Sequence, residues 1–146
     1  MSSNIQAFLN RMIRSQNLKH FADVLEGLDF PFVLEIEARR YVISSRRQAL
    51  AALTRRGAVL PNWASMRTLC QVKAIEPPRQ GRFRVGAELR SVDAQGRTVR
   101  RSYALYYLHQ HDGSYRIEMM QLTRKHLPRW PARPVVTRDL SPSVFA

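Results

Sequence analysis

Apolar residues in the first thirty positions recur at the spacing of an amphipathic helix, in two separate stretches. The first stretch repeats at i, i+3, i+4, i+7 and i+8: Ile5, Phe8, Leu9, Met12 and Ile13. The second stretch has a similar spacing and ends near a glycine at position 27: Leu18, Phe21, Val24, Leu25 and Leu28. Ser3 or Asn4 can cap the first helix. The break between the stretches, around residues 15–17, is short, which predicts two helices packed as a tight pair.

A third helix is predicted further along, after a short segment with strand character. Ser44 or Ser45 is placed to cap it, and the following run of glutamine, alanine and leucine favours helix up to about Arg56. Gly57 is placed to end this helix, and residues 61–63 are predicted to form a loop.

From residue 66 onward the apolar pattern changes to a period of two, which is typical of strands. Proline- and glycine-containing turns cut this half of the chain into four predicted strands: 66–76, 82–92, 97–110 and 114–123. Their connections are short enough to require an antiparallel meander. Before the third helix, residues 32–36 and 40–43 predict either a short strand pair or one kinked strand.

The end of the chain has a different character again. Four of the eight prolines fall within its last nineteen residues: Pro128, Pro131, Pro134 and Pro142. Such a segment cannot form a helix or a central strand. We therefore predict one folded domain over residues 1–126 and a proline-rich tail over 127–146. The tail is either loose or extended over a neighbouring surface, with Trp130 and Phe145 as anchors.

Composition narrows the class of protein. A chain of 146 residues with 45% hydrophobic content suits one domain with a core of its own. Its single cysteine excludes an internal disulfide, and its apolar runs are too short for a membrane span, so we expect a soluble cytoplasmic domain without a cofactor. The net charge of +13 is spread evenly after a neutral first thirty residues, which argues against a nucleic-acid partner.

The order of these elements resembles the nuclear-transport-factor-2-like superfamily, and within it the SnoaL-like polyketide cyclases. The local likeness is strongest from residue 30 to residue 50, where the first strand leads into the serine-capped third helix. The resemblance implies an α+β fold: three N-terminal helices packed in a curved, mostly antiparallel sheet that forms a half-open cone. A pocket at the wide end and homodimers through the outer face of the sheet are also implied.

Candidate chemistry concentrates on the predicted strand 97–110, which is apolar on both faces at its centre. We place its odd face, with Tyr103, Tyr107 and His109, inside the cone. His109 is then a candidate general base, Tyr107 a hydroxyl donor, and Asp29 an alternative acid or base. The candidate ligand-binding residues line the same cone: Tyr41, Arg101, Tyr103, Tyr115 and Met119.

The even face of the same strand then points outward as a candidate dimer interface: Ala104, Tyr106 and Leu108. A metal site at His109 and His111 is not expected, because neither cysteine nor carboxylate occurs near them at suitable spacing. Tyr103 and Tyr107 also have a purely structural interpretation, in which they are half-buried core residues without a role in chemistry.

Three hypotheses of function follow, of which the third, a nucleic-acid-associated protein, is the least favoured. The first is a protein that binds a small apolar or anionic molecule, with cyclase, isomerase or dehydratase activity as its catalytic form. An inward Arg101 would favour a ligand that bears a carboxylate. The second is a non-catalytic dimeric module that binds an acidic protein partner through its arginine-rich surface.

Overall fold

The structure, a computed structural model, describes residues 2–59 and 67–124. Three helices and six strands follow one another along the chain: α1 Ser2–Asn17, α2 Phe21–Glu26, β1 Leu28–Ile36, β2 Arg39–Ile43, α3 Arg46–Val59, β3 Arg67–Ile75, β4 Arg82–Val92, β5 Thr98–His111 and β6 Ser114–Thr123. The predicted loop at 61–63 and the predicted tail over 127–146, including Trp130 and Phe145, lie outside the described residues.

The six strands form one curled, mixed sheet in the order β2-β1-β6-β5-β4-β3. The predicted antiparallel meander is confirmed, since β3, β4, β5 and β6 pair in sequence order. The segment at 32–43 resolves into a strand pair, β1 and β2, and β1 also pairs in parallel with β6. Helices at the N-terminus and a curled sheet give the α+β cone that the resemblance implies.

The strand boundaries follow from the turn residues. Asp112 and Gly113 both have positive φ angles, 49° and 79°, as a two-residue hairpin turn of the primed type requires. Gly96 supplies a positive φ between β4 and β5. Because such conformations are local properties of the turn residues, the pattern alone located β4 and β6 to within a residue.

Helix α1 covers the inner face of the sheet, which is the face we define by its contact with this helix. Ile5, Phe8 and Leu9 are buried there. Two amide side chains of α1 also bond the free edge of β3. Gln6 bonds both the Cys70 carbonyl and the Val72 amide, at 3.0 and 2.9 Å. Asn17 does the same at Thr68, with both distances 2.9 Å. The helix therefore closes a sheet edge that would otherwise carry unpaired backbone groups.

The other two helices differ from the prediction at their ends. Helix α2 is shorter than its apolar pattern suggested, because Leu18 is exposed and Leu28 already belongs to β1. Helix α3 begins as predicted, with the Gln48 amide donating to Ser45 Oγ at 3.2 Å. It continues through Gly57 to Val59, so the predicted termination at this glycine is wrong.

The two faces of β5 are reversed relative to the prediction. In the β4–β5 pair, Val85 lies opposite Tyr106, and Ala87 lies opposite Ala104. Residues directly opposite each other in a ladder share a face. Val85 and Ala87 belong to the core beneath α1, so Ala104, Tyr106 and Leu108 belong there too, at no more than 3% exposure. The prediction that these three point outward is wrong, and a homodimer, which stays a prediction, needs another surface.

Tyr103, Tyr107 and His109 consequently lie on the opposite, outer face rather than inside the cone. An irregularity in β6 also shifts the side chains that follow it to the opposite face from the one that regular alternation predicts. Ile117 pairs with Leu108, whereas Met119 pairs with Tyr107, which leaves Glu118 as an extra residue. Met119 therefore joins the outer face, although the regular alternation had placed it inside.

Candidate functional site

The core between α1 and the sheet is filled by apolar side chains. Among the described residues, Arg84 is the only buried charged or polar residue, and it lies on the outer face. The titratable groups in or against this core are weak acids. Burial raises the pKa of the Cys70 thiol to about 11 and raises the pKa of Tyr106 above its ordinary value. The described part of the core thus holds no carboxylate or histidine to act as a buried acid or base.

A carboxylate–histidine cluster lies instead on the outer face, near one end of the sheet. His109 Nδ1 is 2.8 Å from Asp29 Oδ2 and 3.1 Å from Glu118 Oε1. Asp29 comes from the start of β1, His109 from the end of β5, and Glu118 from the irregularity in β6. The structure thus brings together two predicted candidates, Asp29 and His109, and adds Glu118.

Two arginines flank this cluster. Arg82 Nε lies 3.3 Å from Glu118 Oε1, and Arg116 Nη1 lies 3.6 Å from Asp29 Oδ1. Both guanidinium groups remain partly exposed. The three mostly buried acid–base groups therefore have positive charge on two sides and solvent within reach.

Tyr107, the third predicted catalytic residue, belongs to a different hydrogen-bonded chain. Its hydroxyl donates to Gln121 Oε1 at 3.2 Å, and Gln121 Nε2 donates to Glu35 Oε1 at 3.2 Å. Glu35 is held in turn by Arg40 at 2.6 Å. Burial is the main cause that raises the pKa of Tyr107. This hydroxyl is therefore a donor within a structural network on the outer face.

The predicted ligand-binding residues do not converge on one place. Arg101 is paired with Glu88 at 2.7 Å on the outer face, so it is not the inward cation that the prediction required. Tyr103 shares that face, and Tyr41 is largely exposed on the edge strand β2. Only Tyr115 lies on the inner side as expected, where its ring packs edge-on against Phe8 and Phe83.

Tyr115 also lines an open cleft of about 780 Å³ between α1, α2 and the turn from β5 to β6. The cleft has an apolar floor and a charged rim. The floor is formed by Phe8, Met12 and Tyr115, and the rim includes Arg11, Arg14, Arg116, Asp23 and Glu26. This site was not predicted from the sequence. The available signal was the position of Arg11 and Arg14, three residues apart and next to the apolar stripe of α1.

No protein-family model and no curated protein matches this sequence. Solved structures do match. A protein of unknown function with a cystatin-like fold from Nostoc punctiforme aligns with a TM-score of 0.70 at 10% identity, covering 91% of this chain and 93% of its own. An NTF-2-like protein of unknown function from Shewanella oneidensis aligns at 0.66 and 14% identity, covering 84% and 98%.

ActVI-ORFA from Streptomyces coelicolor aligns at a TM-score of 0.66 with 11% identity, covering 86% of this chain and 97% of its own. At this level of identity the matches establish the fold alone. The chain has the fold of the nuclear-transport-factor-2-like superfamily, as the sequence predicted. Within residues 2–59 and 67–124, no helix combines the length and apolar character needed to cross a membrane.

Proposed function

We propose that this protein binds a small anionic molecule with an apolar part, in the cleft between α1, α2 and the β5–β6 turn. The observation that supports this most directly is the composition of the cleft, in which three guanidinium groups surround an apolar floor. Ligand sites of this kind use apolar contact for affinity and a few polar groups for orientation.

The arginines of the cleft approach it from two directions. Arg11 and Arg14 lie three residues apart on α1 and therefore on the same side of that helix, whereas Arg116 comes from β6. Within the described chain, Arg11 and Arg14 form no ion pair, so their charge is available to a ligand. Arginine suits a carboxylate, sulfonate or phosphate, because its planar fork can donate two parallel hydrogen bonds.

The negative groups of the rim offset this charge only in part. Glu26 already pairs with Arg46 at 3.1 Å and Arg116 with Asp29 at 3.6 Å, which leaves Asp23 facing Arg11 and Arg14. The cleft is therefore net positive and favours an anion over a cation or a neutral molecule.

The absence of a side chain at Gly27 makes room for Met12 on the floor. A Cβ atom at this position would collide with Met12 Sδ, so only glycine leaves Met12 its place on the floor. The edge-on contact of Phe8 with Tyr115, at 5.7 Å between ring centres, forms the rest of the apolar surface. These contacts support a preformed apolar surface for the ligand.

Binding without catalysis is the form of the hypothesis that the structure supports best. Cyclase, isomerase or dehydratase chemistry needs an acid or base at the ligand. The predicted catalytic residues Asp29, Tyr107 and His109 do not line the cleft, and its own carboxylates, Asp23 and Glu26, are exposed on the rim. The fold itself hosts many activities and does not decide the matter.

The proposal is tested with anilinonaphthalene sulfonate, an aromatic anion that becomes fluorescent in apolar sites. The wild-type protein should bind it at one site, and octanoate should displace it more strongly than octanol. The Arg11→Gln/Arg14→Gln variant should bind at least about tenfold more weakly, since a hydrogen bond to a charged group contributes about 1.5–3 kcal/mol.

Arg47→Gln is the matched control, because Arg47 is an exposed arginine on a different helix, α3. It should bind like the wild type. If the double variant keeps wild-type affinity, or if octanol competes as well as octanoate, the arginines do not form an anion site and the proposal is wrong.

A further inference from the structure

We propose that Asp29, His109 and Glu118 form a binding site for a divalent transition-metal ion. Each of these residues can offer one ligand atom, and the three atoms lie within 4.8 Å of one another. The three proposed ligands do not line the cleft, and the two sites share only Arg116, which borders both.

The spacing of the donor atoms suits coordination. The distances from His109 Nδ1 to the two carboxylates are 2.8 and 3.1 Å. Metal–ligand bonds to nitrogen and oxygen are about 2.0–2.2 Å long, so neighbouring ligands around a six-coordinate ion are about 3 Å apart. An ion could therefore be bound with only small movements of these three side chains.

A second observation concerns Glu118. Its Oε2 atom is buried and has no hydrogen-bond partner among the described residues. Buried carboxylate oxygens are nearly always satisfied, and one that is not calls for a physical explanation. A cation bound by both oxygens of this carboxylate would satisfy Oε2, and Glu118 is the extra residue at the irregularity of β6.

The two flanking arginines do not block the site. Arg82 and Arg116 contact the carboxylates at 3.3 and 3.6 Å, longer than the 2.7–2.9 Å typical of a strong charge-assisted bond. Their side chains are 39% and 40% exposed, so both can turn into solvent when an ion enters. They neutralise the carboxylates without metal, which makes the site one of moderate rather than high affinity.

The donor set indicates the class of ion. One imidazole and two carboxylates suit Zn²⁺, Mn²⁺, Fe²⁺ or Co²⁺, whereas Mg²⁺ and Ca²⁺ prefer oxygen ligands alone. Three protein ligands also leave coordination positions open for water or a further ligand. The sequence could not indicate this site, since its ligands are 80 and nine residues apart along the chain.

The test uses the full chain without a polyhistidine tag and titrates it with Zn²⁺ by calorimetry. We expect one site per chain. Asp29→Asn, His109→Gln and Glu118→Gln, which keep side-chain size, should each weaken binding at least tenfold. His20→Gln is the matched control, because His20 is exposed at the start of α2, and it should bind like the wild type.

A second measurement does not depend on how the variants fold. Mn²⁺ added to the isotopically labelled wild-type protein should broaden the amide resonances around Asp29, His109 and Glu118 first. Broadening centred elsewhere, or the same Zn²⁺ affinity in the folded Asp29→Asn and Glu118→Gln variants as in the wild type, would falsify the metal site. An absence of Zn²⁺ binding at millimolar concentration would also overturn it.

Discussion

At their centres β4 and β5 are buried on both faces, but the two faces are built from different chemistry. The inner face packs Val85, Tyr106 and Leu108 against helix α1. The outer face sets Arg84 opposite Tyr107 and surrounds them with ion pairs and hydrogen bonds. The inner face is therefore stabilised by filling volume, and the outer face by satisfying polar groups.

This difference matters because the residues on the two faces of β5 are similar in apolar character and in burial, so the strand's own sequence does not distinguish the faces. Leu105 and Tyr107 are as deeply buried as Tyr106 and Leu108. What separates the two faces is the set of neighbours that each one meets in the folded sheet. Substitutions that place the same chemical change on each face should therefore have unequal effects.

The largest effect is expected from Tyr106→Glu. This change places a carboxylate in the core under α1, where none of the described residues is a cation that could compensate its desolvation, and should lower the free energy of unfolding by at least about 4 kcal/mol. Tyr103→Glu, on the partly exposed outer face, should cost far less. Urea denaturation followed by circular dichroism measures both. If the Tyr106→Glu protein instead kept wild-type stability and had half the particle mass of the wild type, Tyr106 would lie at a dimer interface, as the sequence predicted.

Next in size is Arg84→Ala on the outer face. Arg84 Nε donates to Glu76 Oε2 at 2.9 Å, and removing one partner leaves the other mostly buried and uncompensated. The expected loss is about 3 kcal/mol. Arg46→Ala breaks the pair with Glu26, in which both side chains are exposed, and should cost less than about 1 kcal/mol. Similar losses for both variants, measured by thermal unfolding, would mean that burial of the Arg84 pair has no energetic consequence.

A smaller effect should appear at the inner-side thiol in alkaline solution. The pKa of Cys70 rises from 9.0 to about 11 because the folded protein buries it. Between these values the unfolded chain loses the proton while the folded chain keeps it, so stability should fall as pH rises from about 9 to 11, by about 1.4 kcal/mol per pH unit at most. Below pH 9 Cys70 contributes no pH dependence.

Cys70→Ala removes this contribution, so its stability relative to the wild type should increase with pH over that window. Unfolding curves at several pH values provide the measurement. If the free energies of unfolding of the wild type and of Cys70→Ala change by the same amount from pH 8 to pH 11, burial does not raise the pKa of this thiol.

The smallest effect is expected from Tyr107→Phe. The change removes the hydrogen bond to Gln121 and keeps the ring, so the loss should be about 0.5–1.5 kcal/mol. Tyr41→Phe, on the exposed edge strand, is the matched control and should change less. Unfolding curves of the two variants in urea give the comparison. If Tyr107→Phe leaves the free energy of unfolding unchanged, this hydrogen-bond network contributes little to the stability of the outer face.

Local chemistry explains why much of the fold could be predicted from the sequence. The turn at Asp112 and Gly113 and the cap at Ser45 depend on residues within a few positions of each other, and both were predicted. The end of α3 was predicted wrongly, because glycine only favours helix termination and α3 continues through Gly57 to Val59. The faces of β5 were also wrong, because alternation within a strand does not say which side its neighbours cover.

The candidate site shows the same division. Asp29 and His109 were singled out by residue type, and they do meet. Glu118 was missed because regular alternation does not reveal the extra residue in β6, and the cleft was missed because it needs α1, α2 and the β5–β6 turn together.

The sequence by itself determined the element order and the meander, since these follow from short-range periodicity and turn conformation, and its resemblance to a known superfamily implied the fold. Only the tertiary structure decided which side of the sheet α1 covers, which faces become core, and which distant acids reach His109. Those outcomes depend on strand register and on one irregular residue, and a shift of one position in a strand moves every side chain to the opposite face.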